Sequence, residues 1–157
     1  MSWEAITAIS TALTTVVLAL SGIFIVFQAK ELKKSASAEA FSTISGLLDE
    51  NEVRMARCTL ITISKKFCSW TQPEKDAAEF VCSRFGSVAI MVRSKLVSEE
   101  MIIEEWGYSI IKCYEKAQPM ISEYRNPSGN EYRENNYRSD FEWLYCEAKK
   151  IKPSLTY

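Results

Sequence analysis

An uncharged, apolar stretch near the N-terminus constrains this chain more than any other feature of its sequence. Residues 5–29 carry no charged side chain, and Lys30, Lys33 and Lys34 follow directly. A helix of this length rises roughly 37 Å, enough to cross a hydrocarbon core of about 30 Å with some tilt. The stretch therefore predicts one transmembrane helix; the alternative, a buried helix of a globular core, rarely reaches this length without a charge.

The charges around the stretch predict its orientation. A secretory signal peptide would place its positive charge before a shorter apolar segment and end in a small-residue cleavage site. Here Glu4 is the only charge on the amino side, and the lysines follow the stretch. By the positive-inside rule we expect a single-pass membrane protein in contact with membrane lipids. Its N-terminus would lie outside, and everything after Lys30 would lie in the cytoplasm.

The remainder of the chain has room for one compact domain. We expect an anchor with its basic juxtamembrane segment over residues 1–34 and a cytosolic domain over residues 35–157, a length of ordinary single-domain size. The whole chain holds 19 basic and 20 acidic residues, so we expect no surface for duplex nucleic acid.

Two absences limit the chemistry that this sequence can support. The chain has no histidine, which removes the commonest general base and the Ser/His and Cys/His nucleophile pairs. Its five cysteines are scattered and never form a CxxC pair, which favours reduced thiols over a disulfide framework or a zinc site. We therefore expect no enzyme, no catalytic residue, no bound metal and no cofactor.

Apolar spacing after the stretch is helical almost throughout, so the predicted fold is all-α: one N-terminal transmembrane helix continuing into a cytosolic domain of about four further helices. The first helix has no proline and should continue to about Asp49. A second helix is predicted over roughly residues 50–67 with Asp49 as its cap. Residues 59–63, four of which are β-branched, leave a strand open as the alternative.

Start and stop signals predict the later helices. Pro73 suits the first turn of a third helix that reaches about Lys95. Ser98 with two acids behind it starts a fourth, which extends to Pro119 or slightly beyond. Residues 126–136 read as a loop, and residues 139–142, Ser-Asp-Phe-Glu, form a capping-box signature for a last helix.

The second half of the chain contains several short motifs, which are Phe85, Val88, Val92, Leu96, Ser98-Glu99-Glu100, Glu105-Trp106-Gly107-Tyr108, Tyr114-Glu115-Lys116, Pro119 and Phe141-Glu142-Trp143-Leu144. In this order they resemble a small bacterial family described only as a domain of unknown function, and the resemblance covers nearly the whole chain. It implies a single-pass protein of a bacterial inner membrane, with one N-terminal span, a basic juxtamembrane turn, a helical cytosolic domain and no established activity.

The loop before the last helix departs from that family in its content of tyrosine, arginine and asparagine, and the dipeptide Tyr-Arg occurs three times around it. Arginine matches phosphate oxygens, tyrosine stacks on bases and asparagine can pair with an adenine edge. The net charge over residues 124–138 is only +1, so any ligand should be small. A solvated loop is the alternative interpretation. The candidate ligand-binding residues are Tyr124, Arg125, Asn126, Tyr132, Arg133, Asn135, Asn136, Tyr137 and Arg138.

Hydroxyl residues follow one face of the predicted span. Small and hydroxyl residues four apart let helices approach closely and bond to one another, which predicts a homo-oligomer and allows a pore. Ordinary packing is the alternative, because such hydroxyls also bond to their own backbone. The stripe comprises Thr7, Ser10, Thr11, Thr14 and Ser21.

Other chemistry-bearing residues favour structural roles. Glu99, Glu100, Glu104 and Glu105 suit the positive end of a helix dipole and a solvated face better than a metal site. Trp70, Trp106 and Trp143 are expected to anchor the core, since each lies in an apolar helical context.

Two hypotheses of function remain. In the first, the cytosolic domain is a sensor whose small ligand changes the packing of an oligomeric span and perturbs the membrane or opens a pore. This layout is similar to membrane-anchored accessory effectors of type III CRISPR antiviral defence, which implies a cyclic oligoadenylate such as cyclic tetra-adenylate as ligand. In the second, the chain is a passive anchor or adaptor whose helical domain docks a protein partner.

Overall fold

The computed structural model describes residues 3–126 and 135–152, without the side chains of residues 4–10 and 12. Within this part the chain forms five α-helices and no strand, as the all-α prediction required. A short 3-10 turn, Phe67–Ser69, follows α2. The helices are α1 (Trp3–Asp49), α2 (Asn51–Thr62), α3 (Gln72–Arg93), α4 (Glu99–Arg125) and α5 (Ser139–Ile151).

The chain divides into two compact units, Met1–Ala38 and Glu39–Tyr157. In the first unit, the large apolar side chains between Leu13 and Phe27 are 54–67% exposed. The helix segment Leu13–Asp49 contains an 18-residue window with a mean hydropathy of 1.8, so by length and composition it could cross a membrane. The predicted continuation of the first helix to Asp49 is confirmed. The division into a membrane anchor over residues 1–34 and a cytosolic domain over residues 35–157 stays a prediction.

The second unit has an apolar core to which all five helices contribute. The end of α1 supplies Ile44 and Leu48, both fully buried. Phe141 of α5 stacks on Phe85 of α3 with ring centroids 5.2 Å apart. Tyr114 of α4 packs edge-on against the Phe141 ring, with centroids 5.3 Å apart. Burial of these aromatic rings is a large favourable term and holds α3, α4 and α5 together.

The tryptophans follow the predicted core role in two cases of three. Trp70 and Trp106 are buried, and the Trp70 indole donates a hydrogen bond to the Lys65 carbonyl at 3.1 Å. Trp143 is only partly buried, and the Arg93 guanidinium lies 5.6 Å from its ring. A cation at this distance from a tryptophan face is attracted by the ring quadrupole, so Trp143 packs at the edge of the core.

Two predicted helix starts are wrong. Asp49 still belongs to α1, so the N-cap of α2 is Glu50, and α2 ends at Thr62 rather than near residue 67. Ser139 is the first helical residue of α5, whose N-cap is Arg138 without a side-chain cap. The predicted capping box is absent because the Glu142 carboxylate pairs with Arg125 of α4 at 2.8 Å. The α2 residues 59–62 are helical, which removes the strand alternative for them.

A capping arrangement does occur at the start of α3, where the sequence reading overlooked it. The Glu74 carboxylate accepts the Thr71 backbone N–H at 2.7 Å and pairs with the Lys65 ammonium at 2.8 Å. The hydrogen bond from Lys65, together with that N–H, lowers the pKa of Glu74 to about 2. Threonine followed three residues later by glutamate is the sequence signal of such a start.

Candidate functional site

The first Tyr-Arg dipeptide closes α4. The Tyr124 ring packs edge-on against Tyr137, with centroids 5.1 Å apart, and against Phe67 at 6.1 Å. Burial is the leading cause that raises the pKa of Tyr124. The ring therefore fills the space between the end of α4 and the start of α5, and little of it is left for stacking on a ligand.

Arg125 has protein acceptors for its guanidinium. Its Nε donates to the Tyr137 carbonyl at 2.9 Å, and its Nη2 lies 2.8 Å from the Glu142 carboxylate. Its side chain is 20% exposed. A guanidinium held by a carbonyl and a carboxylate is positioned by both, so Arg125 ties the end of α4 to the start of α5.

The second described dipeptide, Tyr137-Arg138, comes directly before α5. The Tyr137 hydroxyl donates to a Glu79 carboxylate oxygen at 3.0 Å. Burial is the leading cause that raises the pKa of Tyr137. The hydroxyl thus links the start of α5 to α3.

Arg138 has a different environment from Arg125. Its backbone has φ 57° and ψ 30°, the left-handed region that L residues adopt at a cost. Its guanidinium carbon lies 5.0 Å from the centroid of the Tyr137 ring. Its Nε is buried and has no hydrogen-bond acceptor among the residues that the structure describes. A buried N–H without an acceptor carries a desolvation cost that a bound acceptor would remove.

Arg138 lines an open cleft between α3 and the start of α5, which we call the α3/α5 cleft. The cleft has a volume of about 190 Å³. Three serines, an asparagine and the arginine provide most of its polar groups. Its lining residues are Ser83, Gly86, Ser87, Ile90, Asn136, Arg138, Ser139, Asp140 and Phe141.

Gly86 keeps this cleft open on the α3 side. A Cβ atom built there would meet nothing within 4 Å, so packing does not demand glycine at this position. Glycine within a helix costs roughly 0.5–1 kcal/mol relative to alanine. Ser83, three residues before Gly86, and Ser87, one residue after it, lie on the same helix face. The Ser87 hydroxyl donates to the Ser83 carbonyl at 3.1 Å. The sequence reading missed this small polar face, Ser-x-x-Gly-Ser.

The acids near the cleft are held by arginines from other helices. Arg93 lies 2.6 Å from the Asp140 carboxylate, and Arg125 pairs with Glu142. These pairs offset the two negative charges in the first turn of α5. The Arg138 guanidinium lies over the Tyr137 ring and forms no ion pair with any acidic residue that the structure describes. The cleft therefore favours an anion that accepts hydrogen bonds.

The structure brings together only some of the predicted ligand residues. Asn136 and Arg138 line the cleft, whereas Tyr124, Arg125 and Tyr137 hold the adjoining helix ends. Asn126 is the C-cap of α4, and Asn135 is exposed in the turn before α5. Tyr132 and Arg133 lie outside the described residues. Ligand binding by this set stays a prediction.

The hydroxyl stripe of α1 is described in part. The Ser21 hydroxyl donates to the Val17 carbonyl at 2.8 Å, and the Thr15 hydroxyl donates to the Thr11 carbonyl at 2.9 Å. Thr11 and Thr14 are exposed, whereas the side chains of Thr7 and Ser10 lie outside the described part. At least some of these hydroxyls are therefore satisfied within their own helix.

Cysteines and acids form no metal centre in the part of the chain that the structure describes, where no group of three or more such residues could hold an ion. All five cysteines are free. Cys82 and Cys113 are buried, and burial raises the pKa of each thiol to about 12. Such thiols are inert as nucleophiles.

Comparison with known proteins assigns the family. The model of the domain of unknown function DUF4760 matches residues 9–148. The chain belongs to this family. The predicted resemblance to a family of unknown function is thereby confirmed. The DUF4760 match includes most of α1, the α3/α5 cleft and most of α5, but it brings no activity. No curated protein and no solved structure matches the chain.

Proposed function

We propose that this DUF4760 protein is a membrane-anchored sensor that binds a small phosphate-bearing ligand in the α3/α5 cleft. The observation that carries the proposal is Arg138, whose buried Nε has no acceptor among the described residues while its side chain lines an open polar cleft. A phosphate oxygen is a strong acceptor for a guanidinium N–H, because the bond is charge-assisted.

The size of the cleft supports a part of a ligand rather than a whole nucleotide. Its volume of about 190 Å³ lies below the roughly 300–1,000 Å³ of sites that enclose drug-sized ligands. One phosphate group would occupy the cleft, with Asn136 and the serine hydroxyls beside it, and the attached groups would extend over the rim. A cyclic oligoadenylate presents one phosphate per nucleotide, so each subunit of an oligomer would hold one. Cyclic tetra-adenylate, acting in antiviral defence, is the specific candidate.

The output of the sensor would lie in the membrane. The apolar segment of α1 and the lysines behind it support a single-pass protein of a bacterial inner membrane, with the helical domain in the cytoplasm. Ligand binding would change the association of α1 helices along the hydroxyl stripe and so perturb the membrane or open a pore. Replacing Thr11 and Thr14 together by leucine should then abolish ligand-dependent dye leakage from vesicles that contain the chain.

Ligand-dependent stability tests the sensor directly. The full-length chain in detergent micelles would be heated with inorganic phosphate, adenosine monophosphate, linear oligoadenylates and cyclic tetra-adenylate. A ligand at about 100 times its dissociation constant adds roughly 2.7 kcal/mol to the free energy of unfolding. Stabilisation by one phosphate-bearing compound supports the proposal. No shift with any compound would contradict it and favour the adaptor.

A pair of glycine variants locates the ligand. Gly86→Leu places a side chain into the cleft, and Gly46→Leu makes the same change on α1, where a Cβ also meets nothing within 4 Å. Both variants should gain about 0.5–1 kcal/mol of stability from the loss of a helical glycine. Only Gly86→Leu should lose the ligand response. Equal responses in the two variants would remove the cleft from the binding site.

A further inference from the structure

We propose that one face of α1, formed by Lys30, Lys33 and Lys34, binds the phosphate groups of anionic membrane lipids. The inference rests on the membrane anchorage proposed above, but it concerns a different surface from the α3/α5 cleft. We call these three residues the lysine face.

Helix geometry brings the three ammonium groups together. Successive residues of an α-helix are about 100° apart around the axis, so residues i, i+3 and i+4 fall within an arc of about 100°. Lys30, Lys33 and Lys34 have this spacing in α1, and all three are exposed. Glu31 lies about 60° beyond the Lys34 edge of the arc. The face therefore presents three positive charges to one side of the helix.

These charges lie free of protein carboxylates. In the stretches 3–126 and 135–152, no acidic side chain is within ion-pair distance of any of the three lysines. Ammonium groups without a protein partner attract anions from the surroundings, and an anionic surface gains most where several positive charges are close together.

The position along the helix matches the headgroup layer of a bilayer. Lys30 to Lys34 spans a rise of roughly 6 Å, while each polar layer of a bilayer is about 5–8 Å thick. Immediately before them, Ile25, Val26 and Phe27 are exposed apolar side chains suited to hydrocarbon. With these residues in the acyl region, all three ammonium groups would lie at the level of the lipid phosphates. Phosphate headgroups are thus the anions within reach.

Lipid selectivity measured by electron spin resonance tests the lysine face. The full-length chain would be reconstituted in phosphatidylcholine vesicles with trace spin-labelled phosphatidylglycerol or spin-labelled phosphatidylcholine. The fraction of motionally restricted label gives the relative association of each lipid with the protein. One lysine near an anionic surface is worth about fivefold in association, so we expect a preference of at least about fivefold for phosphatidylglycerol. It should fall towards unity at about 1 M salt.

Two triple variants make the test specific. Lys30→Gln with Lys33→Gln and Lys34→Gln should abolish the preference for phosphatidylglycerol. The matched control, Lys66→Gln with Lys95→Gln and Lys150→Gln, removes the same charge from the second unit and should retain it. A preference that survives in the first variant, or is missing from the unaltered chain, overturns the inference.

Flotation of vesicles distinguishes a failure of the membrane anchorage from a failure of the lysine face. A chain that floats with vesicles in alkaline carbonate but shows no lipid preference leaves the anchor standing and overturns the lysine face alone. A chain that does not float overturns the anchorage and the lysine face together. Neither result depends on a ligand in the α3/α5 cleft.

Discussion

The same dipeptide, Tyr-Arg, closes α4 and precedes α5, and the two copies have different environments. At Tyr124-Arg125 the arginine lies in a helix and donates to a carbonyl at 2.9 Å while facing a carboxylate at 2.8 Å. At Tyr137-Arg138 the arginine has a left-handed backbone, and its buried Nε has no acceptor among the described residues. Beyond its ion pair with Glu142, the Arg125 Nη2 also has no hydrogen-bond partner among the described residues, so the two arginines differ in the acceptor of their Nε.

Backbone position explains the difference. Arg125 is in the last turn of α4, so its side chain reaches the adjoining start of α5. Arg138 is the N-cap of α5, where the reversal of the chain directs its side chain towards α3 and the cleft. An arginine with two protein acceptors stabilises the fold. Arg138, which lines the cleft and whose Nε has no acceptor among the described residues, is the better candidate for a ligand.

Arg125→Ala should produce the largest loss of stability in this comparison. The change removes both charge-assisted contacts and leaves the Tyr137 carbonyl and the Glu142 carboxylate without their donor. We expect about 2 kcal/mol of destabilisation, measured by urea unfolding of the full-length chain in micelles. Arg54→Ala is the matched control, because among the described residues the Arg54 side chain donates a hydrogen bond only to the neighbouring Asn51, at 3.1 Å. A loss as small as that of the control would mean that Arg125 does not hold α4 and α5 together.

Arg138→Gly should have the opposite effect on stability. A left-handed backbone costs an L residue about 1 kcal/mol, and glycine adopts it freely, so unfolding should become harder by about that amount. Phosphate-dependent stabilisation should nevertheless disappear. Lys95→Gly is the control, since Lys95 has φ 56° and lies outside the cleft lining. It should gain similar stability and keep the ligand response. A retained response in Arg138→Gly would exclude this arginine from binding.

Local patterns were sufficient to predict the number and approximate positions of the helices in the described residues, but not every helix boundary. Because no proline lies between the apolar stretch and Asp49, the sequence predicted an unbroken α1. Pro73 marked the first turn of α3. The sequence predicted that α4 ends at Pro119 or slightly beyond, and α4 in fact continues past Pro119 to Arg125. Tertiary packing of the buried residues around Pro119 holds this part of the helix. Periodicity records which residues face a core, which is why fold class was predictable.

The cleft could not be predicted from such patterns. Glu142 appeared to complete a capping box, but a long-range contact with Arg125 decides its partner. Gly86 looked like an ordinary helical glycine, and only the placement of α5 opposite it creates the cleft. Asn136 and Arg138 were among the predicted ligand residues because of their composition. Which arginine has an N–H without an acceptor depends on partners distant in sequence.

Tyr137→Phe tests the tyrosine of the second dipeptide. Loss of the hydrogen bond to Glu79 should cost about 1 kcal/mol at neutral pH. The folded pKa of Tyr137 is raised above the ordinary value of 10.0, so its contribution to stability is complete below pH 10 and is lost as the pH rises further. The free energy of unfolding should therefore fall less steeply above pH 10 in the variant. Tyr108→Phe makes the same change at an exposed tyrosine and is the matched control. Equal slopes in the two variants would contradict the role of Tyr137.

Arg93→Gln should have the smallest effect on stability and still distinguish the roles of the two Tyr-Arg dipeptides. The Arg93–Asp140 pair is a surface contact with side chains 54% and 36% exposed, so its loss should cost less than about 0.5 kcal/mol. Without Arg93, however, the Asp140 charge faces the same cleft as Arg138 and repels an anion. At an effective dielectric between protein and water we expect phosphate affinity to fall about two- to fivefold. Titration calorimetry on the full-length chain measures this change.

Because Arg125 is not part of the cleft lining, Glu142→Gln should weaken the fold more than it alters phosphate affinity, and the reverse ranking would mean that the two arginines share one site.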